Sequence, residues 1–514
     1  MPETTSILRS LPGIKRDGTK FDGDNYTDGQ WVRFQRGLPR KIGGYRSIVK
    51  TLREISRGFT NFVQQGLVYC HSGGPSTLER FTLDINKNSS VISDRTPSTL
   101  VTSNDNKWMF DYMYDSSNTT NQIIAHAAPN GQTITNSEGG QIFYGDVLGT
   151  SALTEIPLPS GANATGGVVV LHPYLVYYGT AGIIGWSIPG DPTDLTGSGS
   201  GIARAWGQKI IKGLPLRAGS GSAPAGVFWA YDAVIRMTFT GGSTVFAFDT
   251  IATDTSIMSA DSVVDYDGVF YWVGVDRFLM FNGVVREVPN QMNLNWFFDG
   301  LNTQQRAKVY AYKTPRYGEI WWAYPKGDAT ECTHAIIYNV RENTWYDTAL
   351  PESGRVAASY CNLYAAPVLP GDSTSGDNYP VWIHEQGVDE IDGQSIMPIE
   401  SYFETCDLSS MATKRVNSYL RISSIEPDFV QTGDMTVQVT GRANARAPEV
   451  YSSEFKIVDP ANISEPYQQI TMLKEQRREL RVKFKSNTIG GDYQMGQIIG
   501  HLEDGPKTDK TVLG

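Results

Sequence analysis

The sequence predicts an all-β protein, a β-propeller of six or seven blades with a C-terminal β-sandwich-like domain. Three observations carry this reading. Short runs dense in Val, Phe, Tyr and Trp alternate with Gly-, Asp- and Asn-containing turns. The runs come in groups that recur at about 40–55 residues, the spacing of propeller blades. No long amphipathic stripe of helical period interrupts them.

The clearest group is 263–289. Val263–Asp265, Val269–Val273, Phe278–Phe281 and Val284–Val288 read as four strands, separated by Asp267-Gly268, Asp276-Arg277 and Asn282-Gly283. Asp-Gly and Asn-Gly tolerate the positive φ angles of the type I′ turn, whose twist suits antiparallel neighbours. Four such strands make one blade, although a β-meander within a sandwich has the same local pattern.

From the start of the chain, residues 1–53 are expected to form an extended arm and a basic docking segment. Residues 1–29 are polar and lack a strand or helix period. In Gln30–Val49, Trp31, Phe34, Leu38 and Ile42 are the expected anchors, with Arg33, Arg36, Arg40, Lys41 and Arg46 pointing outward. This face is either an ordinary solvated strand surface or a contact surface for an acidic partner. Arg33, Arg36, Arg40 and Lys41 are the candidate interface residues.

The propeller is expected over 54–405. Hairpin groups follow at 54–84, 108–157, 166–187 and 227–249, with a looser stretch at 188–213. Gln291–Phe298 reads as a short helix or an aromatic turn. Val309–Lys313, Glu319–Tyr324, His334–Asn339 and Thr344–Asp347 form a further blade, and 355–404 the last, interrupted by a polar loop at Pro370–Asn378. The pattern changes near Asp407–Lys414. Residues 406–514 are expected to form the C-terminal β-domain, with strands at Ser418–Ile422, Met435–Thr440, Ser453–Ile457, Glu479–Lys485 and Gln494–Leu502.

Charge is distributed unevenly. The 514 residues carry a formal −10; residues 1–60 are +6, residues 61–411 are −17 and residues 412–514 are +1. An acidic body repels phosphate, which argues against a nucleic-acid reader. The N-terminus has no signal-peptide layout and no apolar run reaches the length of a membrane helix, so folding in a cytoplasm is expected. Cys70, Cys332, Cys361 and Cys406 form no CxxC pair and read as buried thiols.

No catalytic constellation emerges. The six histidines lack metal-ligand spacing, and there is no GxSxG, P-loop or dinucleotide-binding glycine motif. Asp265, Asp267, Asp276, Glu287, Glu319, Asp347 and Glu385 are the acids a propeller mouth could gather for glycoside chemistry, but nothing pairs any two of them. The chain is therefore expected to have no enzymatic activity of its own and no cofactor. Trp321, Trp322 and Tyr324 read as blade core.

Four segments carry a family resemblance: VRFQRGLPRKIGGY at 32–45, VDRFLMFNGVVREVPNQMNLNWFF at 275–298, RYGEIWWAYPKGDATECTHAIIYNVRENTWY at 316–346 and GGDYQMGQIIGHLEDG at 490–505. They resemble the tail hub or nozzle proteins, or packaged-DNA stabilisation proteins, of short-tailed bacteriophages. The resemblance implies a virion protein assembled in the host cytoplasm, a homohexameric ring below the portal or head–tail adaptor, tail fibre or tailspike neighbours, and genomic DNA passing without specific recognition. The competing reading is a glycan-binding or glycan-cleaving propeller, which is also acidic and Trp-rich.

Overall fold

The computed structural model describes residues 4–85, 91–104, 106–129, 140–216, 223–242, 244–372, 379–409, 419–444 and 446–504. Residues 373–378 of the expected Pro370–Asn378 loop lie outside this set, as do 1–3, 410–418 and 505–514.

Six four-stranded antiparallel sheets follow one another along the chain, at 58–94, 106–156, 167–204, 210–253, 264–287 and 310–349. A seventh is composite and six-stranded: Ser359–Cys361, Ala366–Pro370 and Tyr379–His384 are joined by Tyr45–Leu52 from the N-terminal region, on whose far side Glu390–Asp392 and Ser395–Met397 extend the sheet. The sheets stand as seven blades around a central channel, with first strands in contact between neighbours except at blades 4 and 5, where Ile210–Pro215 meets the 260–262 turn, and with the last blade returning to the first. Residues 45–52 therefore belong to the propeller rather than to a docking segment. A strand far away in sequence completes the last sheet and ties the ring shut without a covalent link.

The local turn chemistry works as the sequence predicts. Asp267 and Gly268 have φ of 51° and 81°, and Gln65 and Gly66 have 53° and 75°, the left-handed pairs of type I′ hairpins. At Asn282-Gly283 only Gly283 is left-handed. The stretch 188–213 is more regular than expected, supplying the outer strand Gly201–Arg204 and the inner strand Ile210–Pro215. The short helix is Leu294–Gly300, whose first free N–H groups, from Asn295 and Trp296, donate to the Asp17 carboxylate at 2.8 Å each.

Blades pack through separate apolar cores, one per interface. The exception lies between blades 6 and 7, where the core widens to include the N-terminal segment and the whole C-terminal domain. Trp31 is the wedge, 6.3 Å from Trp321 of blade 6 and 5.7 Å from Tyr45 of blade 7 between ring centroids, in edge-on geometry that aromatic quadrupoles favour.

The C-terminal domain is one eleven-stranded sheet that curls around its own core, nearly closing into a barrel. Its long strands, Tyr419–Thr432, Thr471–Ser486 and Asp492–Asp504, exceed the sequence expectation. Register shifts at Ile422/Ser424 and Pro427/Phe429 break the two-residue alternation, so the sequence pattern stops while the strand continues. Thr4–Leu8, Asp28–Gln30, Val32–Gln35 and Leu38–Lys41 pair into this sheet, and Ser401–Glu404 joins it as well. The described part of the expected 1–53 arm, residues 4–53, is thus folded, and the C-terminal domain begins at about 401 rather than 406.

Candidate functional site

The four basic residues singled out in the sequence divide into two kinds. Arg33 and Lys41 do not point outward. Arg33 is 1% exposed: its Nε lies 2.9 Å from Glu319 of blade 6, and its Nη1 donates to Glu385, just after blade 7, at 3.0 Å. The guanidinium also lies over the Tyr317 ring at 3.6 Å. Lys41 is buried and donates to the Gly491 carbonyl at 2.6 Å. Burial lowers its pKa against the pull of Asp389 and Asp492. Burial acts on Arg33 in the same sense, but Glu319 and Glu385 outweigh it and hold the guanidinium charged. The alternation of apolar and basic residues gave no warning, because the carboxylates that draw Arg33 inward lie about 300 residues away.

Arg36 is exposed, in a two-residue turn with Gly37 whose backbone N–H groups donate to Glu342 at 2.9 and 3.1 Å. Arg40 is half-buried and donates to Gln35 at 2.8 Å. Only these two keep charged ends within reach of a partner. Replacing both by Ala is expected to change folding stability by no more than about 0.5 kcal/mol each. If this turn is a docking surface, the double variant fails to assemble; sedimentation of wild type and variant side by side measures it.

The candidate catalytic acids do not gather at a mouth. Glu319 and Asp347 are buried in ion pairs with Arg33 and Arg16. Glu319 and Glu385 do meet, but around Arg33, with Tyr346 and Trp321 donating to Glu319 at 2.6 and 3.0 Å. Asp265 accepts from the Gly268 N–H of its own turn at 2.9 Å. Asp267, Asp276 and Glu287 are exposed. Among the described residues no group of three or more His, Cys, Asp or Glu is placed to hold a metal ion. All four cysteines are buried, and none forms a disulfide among the described residues.

The charged constellation that the structure assembles instead surrounds one mouth of the propeller channel. The inner strands of the blades start at this mouth, and several start on or just after a charged residue. Lys107 (blade 2) and Lys212 (blade 4) flank Asp261, which precedes blade 5, at 2.8 and 3.9 Å. Arg57 (blade 1) and Lys308 (before blade 6) flank Glu331 at 2.9 and 2.7 Å. The two triplets adjoin, since the Trp108 N–H donates to the Arg57 carbonyl at 3.1 Å. Burial opposes ionisation of Asp261 and Glu331, yet the paired cations hold both below the usual carboxylate range. Inside the channel lies a cavity of about 200 Å³ lined by residues including Gly58, Thr60, Met109, Lys212, Asp261 and Tyr310.

Farther along the channel, Asp111 of blade 2 accepts from the Val170 N–H of blade 3 at 2.7 Å, capping a donor on the open edge of an inner strand. Burial raises its carboxyl to about 6. A separate open depression of about 350 Å³ on the C-terminal domain has its charges paired locally, Lys456 with Asp434 at 2.6 Å and Lys485 with Glu454 at 3.5 Å. The mouth residues do not stand out along the sequence because Arg57, Lys107, Lys212, Asp261 and Lys308 each sit alone at or near the head of a blade and Glu331 lies in a loop within blade 6. Their common signal, a charge at or near the start of blades 1, 2, 4, 5 and 6, needs the blade boundaries first.

No family model and no curated protein matches the chain. Among solved structures it is similar to the WD40 β-propeller domain of Doa1, at 11% identity and a TM-score of 0.41, over 66% of this chain and 97% of that one.

Proposed function

We propose that the chain is a structural protein of a short-tailed phage virion, a tail hub or nozzle subunit. Six copies form a ring below the portal or its adaptor that retains the packaged DNA and then conducts it. The observation that carries this reading is the way propeller and C-terminal domain are built into one body. The N-terminal strands lie in the C-terminal sheet, and Tyr45–Leu52 continues directly into blade 7. Trp31 and Arg33 fill the seam between blades 6 and 7. A subunit that bears load at the end of a filled capsid needs such cross-linking of its domains. A loosely tethered propeller, as in many ligand-sampling modules, does not.

In this reading DNA follows the axis of the ring, not the channel of one propeller, whose cavity of about 200 Å³ suits a small molecule. The −17 of residues 61–411 amounts to roughly −100 over six copies and limits adhesion of a polyanion. Negative-stain imaging of the purified protein, with mass measurement, tests the ring. Sixfold rings with an axial opening are the expected result, and a monomer at every concentration and in the presence of the portal sinks the proposal. Lys substitutions at the exposed acids lining the ring passage are expected to slow DNA ejection at low salt. The defect should shrink as salt screens the new contacts; ejection at the wild-type rate at low salt removes the acidic surplus from the mechanism.

A further inference from the structure

We propose that the mouth of the propeller channel is a binding site for a small dianion, a phosphate monoester or a dicarboxylate, seated between the Arg57–Glu331–Lys308 and Lys107–Asp261–Lys212 triplets. Four cations and two carboxylates leave a formal +2 at this mouth, on a body that is otherwise strongly acidic. The side chains are 16–28% exposed, sheltered enough to be partly dehydrated yet open to a ligand. The four cations come from four different blades; Lys212 and Asp261 line the cavity of about 200 Å³, and Arg57 and Lys107 immediately precede its lining residues Gly58 and Trp108.

Charge balance selects the ligand. A single negative charge neutralises one triplet only; two negative charges a few ångströms apart, on one phosphate or on the ends of a short dicarboxylate, neutralise both. Lys212 is the least committed cation, 3.9 Å from Asp261, and can turn its ammonium group to a ligand without breaking a close pair. Charge-assisted hydrogen bonds from ammonium and guanidinium groups to an oxyanion in such a setting are among the stronger polar contacts. The proposal is independent of the assembly state and of the virion reading.

The test is calorimetry on the full chain with inorganic phosphate, succinate and acetate as probes at neutral pH and fixed chloride. Saturable one-to-one binding of phosphate or of succinate is expected, with acetate at least about tenfold weaker. Phosphate alone marks a tetrahedral oxyanion site, succinate alone a two-carboxylate site, and either supports the proposal. Lys212→Met should weaken the bound dianion about tenfold, the loss of one charge-assisted contact. Asp261→Asn, which removes a competing negative charge, should tighten it, while Lys485→Met on the remote depression should leave it unchanged. Circular dichroism verifies that each variant is folded, and the opposite signs expected for Lys212→Met and Asp261→Asn separate a site from general damage. Absence of saturable binding by both dianions, or equal affinities in wild type, Lys212→Met and Asp261→Asn, overturns it.

Discussion

Arg33→Ala is expected to cost about 3–5 kcal/mol of stability, the usual effect of removing one partner from a buried ion pair. The residue is 1% exposed and its guanidinium is shared by Glu319, which is fully buried, and Glu385. Without it two carboxylates remain in the seam between blades 6 and 7, held only by neutral donors such as Tyr346 and Trp321. Burial already raises the Glu319 carboxyl, and Glu385 beside it acts in the same direction. Truncation also opens a cavity beside Tyr317, over whose ring the guanidinium lies. Denaturant unfolding followed by tryptophan fluorescence measures the loss, because Trp31 and Trp321 report on the same seam. A variant that also carries Glu319→Gln and Glu385→Gln should recover much of it, since no uncompensated charge then stays buried. A loss below about 1 kcal/mol for Arg33→Ala, within the range of ordinary exposed ion pairs, means the seam is held by its apolar contacts alone.

Acidification from pH 7 to pH 5 should destabilise the protein through the buried His71, His126 and His384 and the half-buried His334. Burial, aided by Lys209, holds His126 down at about 4, and its Nε2 lies 2.5 Å from the Ala164 carbonyl. Burial and the nearby Lys326 and Arg16 hold His334 at about 4. His71 and His384 are depressed well below the usual range by burial and by arginines, with Arg95 3.2 Å from His71 and Arg355 donating to His384 at 2.7 Å. A base whose pKa is lowered on folding stabilises the native state fully above its unfolded pKa near 6.5. That contribution is lost as pH falls toward 4, because the unfolded chain then binds protons the folded chain refuses. For His126 and His334 the full shift is on the order of 3 kcal/mol each. Asp111 acts oppositely: with its carboxyl raised to about 6 it takes up a proton in the folded state first, and stability gains as pH falls through that value. Burial raises Glu79, Glu319, Asp347 and Asp492 as well, in the same sense as Asp111, and the four depressed histidines are expected to outweigh them. Unfolding midpoints at pH 7 and pH 5 measure it, and His126→Gln and His334→Gln should each flatten the slope while Asp111→Asn steepens it. Equal slopes in wild type and both histidine variants would refute the assignment.

Much of the propeller could be read from the chain because its strands and turns are local. The strand Val269–Val273 ends where β-branched and aromatic residues give way to a turn, and Asp267-Gly268 sets the hairpin before it. Glu319–Tyr324 and His334–Asn339 have the bounds that their composition predicts. The period of the groups brackets the blade number, and the propeller follows because antiparallel hairpins of even spacing close most readily in that way.

What the chain order hides is everything that depends on distant partners. That Tyr45–Leu52 is the fourth strand of the last blade follows from its pairing with Tyr379–His384, more than 300 residues on, and nothing in its own pattern distinguishes it from a strand of the first group. That Arg33 is buried while Arg36 is exposed was decided by Glu319 and Glu385, since a cation enters a core only where carboxylates meet it. The channel mouth was decided in the same way. Arg57, Lys107, Lys212, Asp261, Lys308 and Glu331 are ordinary surface charges along the sequence, and only closure of the ring brings the heads of the inner strands together into one charged rim. Local propensity and periodicity act over a few residues and specify strands and turns. Burial and electrostatics act between elements, so the seam and the rim exist only once the blades have closed.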